Sequence, residues 1–266
     1  MSSRTRCLQV NHDPAGGPPD ALQLVEAAMP VPGPGELLVA VEAAGVNRPD
    51  VLQRQGTYPP PGDASPVLGL EVAGRVAVVG PAADGTPSAF AVGDRVCALA
   101  NGGGYATHCV VPAAQCLSWP DGFDAVRAAA LPETLFTVWS NLVRTGRLAA
   151  GETLLVHGGS SGIGLMAIQL GRALGAEVIA TVGTAAKAAL VREHGATAAI
   201  NYREEDFAER VRELTAARGA DVILDMVGGS YLGSNLRTVA EVHIVIGVRD
   251  HDNASGGHSA AENVSP

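Results

Sequence analysis

Cysteines, aromatic residues and basic residues are all scarce in this sequence of 266 residues. The 4 cysteines have no C-x-x-C spacing, which argues against a disulfide framework and indicates reduced thiols. Aromatic residues make up only 4%, so we expect a core built from Ala, Val, Leu and Ile. The net charge of −9 argues against nucleic acid or an anionic membrane as the general partner.

Long apolar runs are also missing. No stretch of about 18 apolar residues occurs, so the sequence predicts no membrane span. The N-terminal residues carry two arginines but no apolar signal core. Hydrophobic residues nevertheless make up 47% of the chain, which is a globular composition. We therefore expect a soluble, cytoplasmic protein.

The apolar pattern changes along the chain. From Cys7 to about Val111, proline and glycine interrupt short apolar runs such as ELLVAVEAAGV, which is typical of a small β-rich domain. From about Ala125 onward, strand-like and helix-like segments alternate, which predicts a parallel, doubly wound α/β sheet. The polar end, RDHDNASGGHSAAENVSP, has no periodicity. The predicted organisation is a β-rich domain over 1–124, an α/β domain over 125–248 and a disordered tail over 249–266.

One stretch, LLVHGGSSGIGLMAIQL, joins an apolar strand to an apolar helix through glycines and serines. The backbone N–H groups at the start of such a helix, together with the helix dipole, favour a phosphate. Ligands of a doubly wound sheet bind at the carboxyl ends of its strands, where this turn is expected to lie. The stretch therefore predicts a phosphate-binding turn, called the phosphate turn below. Three enzyme classes have similar sequence motifs at this place.

Two of these classes fit the rest of the chain poorly. Gly158–Gly162 spells the G-x-S-x-G elbow of serine hydrolases, and Asp225 and His243 follow in the required order, but His243 lies in an apolar run. A short-chain dehydrogenase needs a Tyr-x-x-x-Lys pair after its glycine loop. Tyr202 and Tyr231 follow the loop, and neither has lysine four residues later.

A dinucleotide site fits better. Gly159, Gly162 and Gly164 match G-x-G-x-x-G when Ser161 takes the place of the second glycine, and the strand–turn–helix context is present. The Ser161 hydroxyl can donate to a phosphate oxygen. We therefore predict that these four residues contact the cofactor. The alternative is that the glycines only allow the helix and the strand to pack closely.

The end of the next strand indicates which dinucleotide binds. An NAD site needs a carboxylate there, whereas this chain has Thr181, Gly183 and Thr184, followed by Lys187. A neutral strand end followed by a lysine favours a 2′-phosphate and hence NADPH. Tyr202, at the end of the following strand, can add a hydroxyl to the same phosphate. Thr181, Gly183, Lys187 and Tyr202 are thus further predicted cofactor residues.

Several motifs together resemble the quinone oxidoreductase (zeta-crystallin-like) branch of the medium-chain dehydrogenase/reductase superfamily. They are GVNRPDVLQRQGTYPP, LGLEVAGRV, ALPETLFTVWSNL, HGGSSGIGLMAIQL and GATAAINYREEDF. The resemblance implies a GroES-like catalytic domain and a Rossmann domain that binds NADPH. It also implies NADPH-dependent reduction of quinones by a homodimer or a tetramer.

The resemblance also implies roles for particular residues. Asn47 and Tyr58 correspond to residues that line the quinone and nicotinamide cleft, and Thr137 to the threonine that faces the nicotinamide amide. The zinc-dependent relatives carry Gly-His-Glu where this chain has Gly69-Leu70-Glu71, and their catalytic cysteine is missing from GVNRPD. We therefore expect no metal.

After Asn235 the chain departs from the family pattern, because one strand-like run, VHIVIGV, is followed by an unrelated polar tail. This departure predicts a shortened family member. Two functions follow from the sequence. The first is an NADPH-dependent, zinc-independent quinone oxidoreductase, and the second is a shortened NADPH-binding or regulatory isoform with little activity.

Overall fold

A computed structural model describes residues 6–247 of the chain. The described residues divide into two compact units, and the division falls between Glu133 and Thr134. The predicted tail over 249–266 lies outside the described residues. No helix within 6–247 is long and apolar enough to cross a membrane.

The N-terminal unit is built mainly from antiparallel strands. Strands β1 and β2 form a separate pair, and the other strands form one sheet in the order β6-β3-β4-β5-β7. Its elements are β1 (Arg6–Asn11), β2 (Gln23–Ala28), β3 (Glu36–Ala44), α1 (Arg48–Arg54), β4 (Glu71–Val79), β5 (Arg95–Leu99), β6 (His108–Pro112), β7 (Cys116–Ser118) and α2 (Ala125–Ala129).

Alternating side chains of these strands form the core of the N-terminal unit. Leu37 and Val39 of β3 pack with Val72 and Val76 of β4, and all four are almost fully buried. This period of two is what a sheet with one buried face requires. Helix α2 packs against β3 and β4 through Ala128. It therefore belongs to this unit, and the division between the units falls later than the predicted boundary after residue 124.

The C-terminal unit is a parallel sheet with helices between successive strands. Its described strands lie in the order β10-β9-β8-β11-β12, and every neighbouring pair is parallel. The elements are α3 (Pro132–Trp139), whose first two residues belong to the N-terminal unit, a π-helical turn (Ser140–Thr145), β8 (Thr153–Val156), α4 (Gly162–Ala173), β9 (Glu177–Val182), α5 (Ala185–Glu193), β10 (Ala198–Asn201), α6 (Phe207–Leu214), β11 (Ala220–Asp225), α7 (Leu232–Thr238) and β12 (Val239–Gly247).

Both faces of this parallel sheet are covered. Leu154 and Val156 of β8 point into one apolar cluster, whereas Leu155 points into another on the opposite face. Val222 and Ile223 of β11 divide in the same way. Strands buried on both sides explain the continuous apolar runs in the sequence. The predicted α/β class with a doubly wound sheet is confirmed.

The strand order places the glycine-rich turn at a special position. From β8 the chain moves outward to β9 and β10, and it then returns to β11 on the other side of β8. The carboxyl end of β8 is therefore the switch point of the sheet, where an open crevice forms in such folds. The turn that follows Val156 begins at this point.

Replacing Leu155 by alanine tests the two-sided core. Leu155 is fully buried, so Leu155→Ala should lower the free energy of unfolding by about 2–5 kcal/mol through lost burial and a cavity. The matched control is Leu236→Ala, because Leu236 is 52% exposed on α7 and its truncation should change stability little. Urea unfolding followed by circular dichroism measures both. Equal losses in the two variants would contradict this packing.

Candidate functional site

The turn between β8 and α4 has the geometry of a phosphate-binding loop. Gly158 has φ +64°, a left-handed conformation that suits glycine. The Gly159 amide donates to the Thr181 carbonyl at 3.0 Å, and the Ser161 amide donates to the Gly158 carbonyl at 2.9 Å. Helix α4 then begins at Gly162. These bonds hold the start of α4 at the carboxyl end of β8.

Ser161 is the N-cap residue of α4. Its Oγ accepts a hydrogen bond from the Gly164 amide at 3.0 Å. This bond uses a lone pair of the oxygen and leaves the hydroxyl proton able to donate, and the proton faces Met226 Sδ at 3.7 Å. The Ser161 side chain is exposed. The hydroxyl can therefore cap the helix and donate to an anion at the same time.

Different physical constraints explain the three glycines of the turn. A Cβ atom on Gly164 would lie 2.5 Å from the Gly158 carbonyl oxygen, and one on Gly159 would lie 2.8 Å from the Ala180 Cβ. Close packing therefore requires both glycines. A Cβ on Gly162 would meet only the Thr134 Cγ2, at an ordinary 3.5 Å. Packing does not explain this glycine, whereas close approach of a ligand to the backbone would.

A second cluster lies at the ends of β9 and β10. The Tyr202 hydroxyl lies 2.7 Å from the position that a Cβ on Gly183 would take, and the Arg203 Nε lies 3.3 Å from it. Thr184 is the N-cap of α5 and accepts from the Lys187 amide at 3.3 Å. Lys187 and Arg203 are both exposed. A phenol and a guanidinium thus lie beside the residue that precedes α5, and a lysine lies in the first turn of this helix, an arrangement that suits an anion.

Arg203 is a site residue that the sequence analysis missed. It directly follows Tyr202 after β10, so its position next to a predicted cofactor residue was the available signal. Arg203 donates its backbone amide to Asn201 Oδ1 at 3.3 Å, which fixes the start of this loop. Lys187 is the only lysine of the chain, whose other cationic side chains are all arginines.

Thr181 differs from the other predicted cofactor residues. Its side chain is fully buried, and its hydroxyl lies 3.0 Å from Nδ1 of His157. The threonine therefore takes part in an internal hydrogen-bond network instead of offering its hydroxyl to a ligand at the surface. Alternation along β9 explains this placement, because successive side chains of a strand point to opposite faces.

The network around Thr181 continues through three more buried side chains. His157 Nε2 lies 2.8 Å from Asn235 Oδ1, and Asn235 Nδ2 donates to Asp225 Oδ2 at 2.9 Å. Asp225 Oδ1 also accepts from the amides of Val227 and Gly228 at 2.7 and 3.0 Å. Both oxygens of the Asp225 carboxylate therefore accept hydrogen bonds within this network. The side chain of residue 243 lies outside what the structure describes.

In the N-terminal unit, the predicted residue Asn47 is held by carboxylates. Its Nδ2 donates to Glu71 Oε1 at 2.9 Å, and its backbone amide donates to Asp50 Oδ2 at 2.8 Å. The Tyr105 hydroxyl donates to the same Asp50 oxygen at 3.0 Å. The Glu133 amide donates to Glu71 Oε2 at 2.9 Å. None of the other four residues of this cluster was singled out as a site residue from the sequence.

The three carboxyl groups of this cluster are shifted toward their protonated forms. Burial raises the pKa of Asp50 and that of Glu71. Burial, with a smaller contribution from the charges of Glu71 and Asp50, raises the pKa of Glu133 to about 7. Within residues 6–247, no group of three or more His, Cys, Asp or Glu side chains could hold a metal ion. The cluster is therefore better suited to keeping a proton than to binding a cation.

The other two predicted catalytic residues are half-buried. Tyr58 lies in the N-terminal unit, in the loop after α1, and Thr137 lies on α3 in the C-terminal unit. The Thr137 carbonyl accepts from Asn141 Nδ2 at 2.7 Å, where α3 passes into the π-helical turn. Their roles remain predictions.

A β-rich unit followed by a doubly wound sheet with a glycine turn at its switch point defines the class of two-domain dehydrogenases and reductases. Residues 33–121 match the alcohol dehydrogenase GroES-like domain, and residues 162–251 match the zinc-binding dehydrogenase domain.

Individual relatives identify the family within this class of dehydrogenases and reductases. The chain is 38% identical to quinone oxidoreductase from Pseudomonas aeruginosa over 244 residues, which cover 91% of this chain and 72% of the relative. The crystal structure of Escherichia coli quinone oxidoreductase complexed with NADPH has a TM-score of 0.77 and 32% identity, and it covers 96% of this chain and 76% of that one. The chain belongs to the quinone oxidoreductase branch of the medium-chain dehydrogenase/reductase superfamily.

Another group of relatives is much longer. The chain is 37% identical over 209 residues to phthioceranic/hydroxyphthioceranic acid synthase from Mycobacterium tuberculosis, which covers 79% of this chain. The chain spans only 10% of the length of that synthase.

Two alanine substitutions test whether a side chain fits at Gly164 and at Gly162. Gly164→Ala should lower the stability by about 1–3 kcal/mol, because its Cβ would meet the Gly158 carbonyl at 2.5 Å. Gly162→Ala is the matched control and should be neutral or slightly stabilising, because its Cβ has room and alanine favours a helix. Thermal unfolding compares the two. A larger loss for Gly162→Ala would contradict the geometry.

The raised pKa of Glu133 predicts a pH dependence of stability. The folded state holds this proton up to about pH 7, whereas the unfolded state releases it near the ordinary pKa of 4.5. Folded protein therefore binds more protons between these values, and the free energy of unfolding falls as the pH rises through them. Glu133→Gln should remove this loss and be more stable than the parent at pH 8.

Melting temperatures of the parent and Glu133→Gln at several pH values between 4.5 and 8 test this prediction. The variant's advantage should grow with pH. Glu193→Gln on α5 removes an exposed carboxylate and serves as the control, with no such trend expected. Parallel pH curves for the parent and Glu133→Gln would contradict the prediction.

Proposed function

We propose that this chain is an NADPH-dependent oxidoreductase that reduces quinones without zinc. The observation that carries the proposal is that the Tyr202 hydroxyl and the Arg203 guanidinium lie beside Gly183, directly before α5, and that Lys187 lies in the first turn of that helix. No carboxylate ends β9, where an NAD-binding protein of this fold needs one. The Escherichia coli and Pseudomonas relatives are quinone oxidoreductases, and the former has been crystallised with NADPH.

The residues of the C-terminal unit fit this cofactor. The first amides of α4 have no partners within the helix apart from the capped Gly164 amide, so they can donate to a pyrophosphate. The absence of a side chain at Gly162 leaves the backbone open to it. Lys187, Arg203 and the Tyr202 hydroxyl would hold the 2′-phosphate. Charge-assisted bonds of this kind are stronger than neutral ones.

When bound, NADPH supplies the hydride for the reaction. The chain's own residues would orient the reactants and exclude water. We assign Asn47 and Tyr58 to the quinone and Thr137 to the nicotinamide amide, following the family pattern. The bond from Asn47 to Glu71 fixes the amide plane, so the amide would meet a substrate in one orientation.

Zinc independence is supported by the donor set. Leu70 takes the place of the histidine that zinc-dependent relatives carry. Cys97, Cys109 and Cys116 are buried in the core of the N-terminal unit, where burial raises the pKa of Cys97 to about 11 and that of Cys109 and Cys116 to about 12. Full activity after exhaustive treatment with a chelator would support this part of the proposal, and loss that zinc restores would overturn it.

A titration with NADPH followed by an assay with 9,10-phenanthrenequinone tests the main proposal. Binding accompanied by quinone-dependent oxidation of NADPH is the expected result. Binding without turnover of this or other quinones would favour the second candidate, an NADPH-binding or regulatory protein. The absence of binding by a folded chain would overturn both.

Lys187 should discriminate NADPH from NADH. Lys187→Ala removes a charge-assisted contact worth about 1.5–3 kcal/mol, so NADPH should bind about tenfold or more weakly. NADH binding should hardly change, because NADH lacks the 2′-phosphate. Fluorescence titration with both cofactors measures this, and Arg192→Ala is a control that removes another exposed cation on α5. Equal losses for NADPH and NADH would contradict the assignment.

The single lysine allows a second test without mutation. An amine-selective reagent can modify only Lys187 and the α-amino group in this sequence. NADPH should protect Lys187 from modification more strongly than NADH at the same saturation, whereas the α-amino group provides an internal reference. Mass spectrometry measures both sites in one sample. Absence of protection by saturating NADPH would place the 2′-phosphate elsewhere.

A further inference from the structure

A chain of buried hydrogen bonds connects the ends of three strands beneath the phosphate turn. It runs from Thr181 at the end of β9, through His157 directly after β8, to Asn235 on α7 and Asp225 at the end of β11. The relative exposures of these four side chains are 0%, 0%, 0% and 3%. No step of the proposed reaction uses them, although buried polar groups of this kind need a reason.

The charge on Asp225 determines the direction of every bond. An ionised carboxylate only accepts, so Asn235 must present its Nδ2 to Asp225 and therefore its Oδ1 to His157. His157 must then donate through Nε2–H. Its Nδ1 is left without a proton and accepts from the Thr181 hydroxyl. Burial lowers the pKa of His157, which is consistent with this neutral form.

Aromatic rings fix the plane of the imidazole. The ring of Phe207 lies edge-on to His157 with centroids 4.8 Å apart, and that of Tyr231 lies 4.9 Å away in a similar orientation. The histidine therefore has one orientation and one tautomer. A network with a single direction is rigid, because reversing one bond would leave a buried donor facing another donor.

The far end of the network holds a loop. Asp225 Oδ1 accepts from the amides of Val227 and Gly228, which follow Met226. Met226 borders the phosphate turn, since its Sδ lies 3.7 Å from the Ser161 Oγ and its Cε lies 3.5 Å from the position of a Cβ on Gly158. The network thus ties residues 226–228 to the same strand end from which the phosphate turn begins.

We infer that His157, Asn235 and Asp225 form a positioning network that holds loop 226–228 beside the phosphate turn and thereby sets the affinity for the dinucleotide. This inference rests on the proposed NADPH site, because the network itself touches no ligand. The three residues are positioning residues and do not take part in the chemistry.

Exchanging the acid and the amide tests the direction of the network. Asn235→Asp places a carboxylate against Asp225, so the two acceptors repel each other. With Asn235 in its present orientation, Asp225→Asn cannot satisfy both the Asn235 amide and the amides of Val227 and Gly228. The double variant Asp225→Asn/Asn235→Asp restores the pattern, since Asn at 225 donates to Asp at 235 and still accepts from the loop, while Asp at 235 accepts from His157 Nε2–H.

We expect each single variant to weaken NADPH binding about tenfold or more and the double variant to return within about threefold of the parent. If the network acted only through packing, the single variants would bind NADPH like the parent, because Asp and Asn have nearly the same size. The double variant would then have no loss to restore. Amide hydrogen exchange at Val227 and Gly228 should become faster in the single variants and slow again in the double variant. Failure of the double variant to recover binding and exchange would overturn the inference.

Thr181 provides an independent pair of variants in case the charged ones fold poorly. Thr181→Val keeps the shape but removes the donor to His157 Nδ1, whereas Thr181→Ser keeps the hydroxyl and is the control. NADPH should bind severalfold more weakly to Thr181→Val and normally to Thr181→Ser. Unchanged binding in Thr181→Val, together with unchanged exchange in the folded charge variants, would overturn the inference.

These measurements distinguish a failure of the proposed function from a failure of this inference. If the folded parent does not bind NADPH, the proposed function is wrong, and the positioning role that depends on it is wrong too. The exchange measurements still decide whether the network anchors the loop. If the parent binds NADPH and the single variants loosen the loop without changing affinity, only the positioning role is overturned.

Discussion

The close contact between α4 and β8 is the constraint on which the C-terminal unit depends. Gly164 lets the helix approach the carbonyl of Gly158, and a Cβ on Gly171 would lie 2.9 Å from a methyl group of Leu154. Glycines on one face of the helix therefore bring its first turn to the end of the central strand. Only this approach directs the free amides of α4 toward one point above the sheet, where a pyrophosphate can bind.

Charge is distributed differently in the two units. The N-terminal unit buries the carboxyl groups of Asp50 and Glu71 beside Asn47, and amides and a phenol donate hydrogen bonds to them. The C-terminal unit exposes cations at the strand ends beside α5. Burial raises the pKa of Asp50 and that of Glu71, whereas the cations beside α5 are exposed to solvent. The first arrangement orients a side chain, and the second suits an anionic ligand.

Some site predictions could be made from the sequence because they depend on local order. The motif around Gly159–Gly164 specifies a strand, a turn and a helix in succession. The lack of a carboxylate after β9 can be read directly from the amino-acid sequence. Other features depend on residues far apart in the chain. Glu71 and Glu133 meet although 62 positions separate them, and His157 meets Asn235 across 78. Thr181 was predicted to contact the cofactor because strand ends carry such residues, but the pleat directs its hydroxyl inward.

The sequence by itself determined the fold class, the family and the place of the phosphate turn. These follow from the periodicity of apolar residues and from glycines at fixed spacing, and both are local properties that the backbone imposes. The tertiary structure decided that α2 packs on the N-terminal sheet, that Arg203 joins Lys187 and Tyr202, and that a buried histidine links three strand ends. Such contacts arise from strand order and side-chain direction, which bring together residues whose separation in sequence carries no signal.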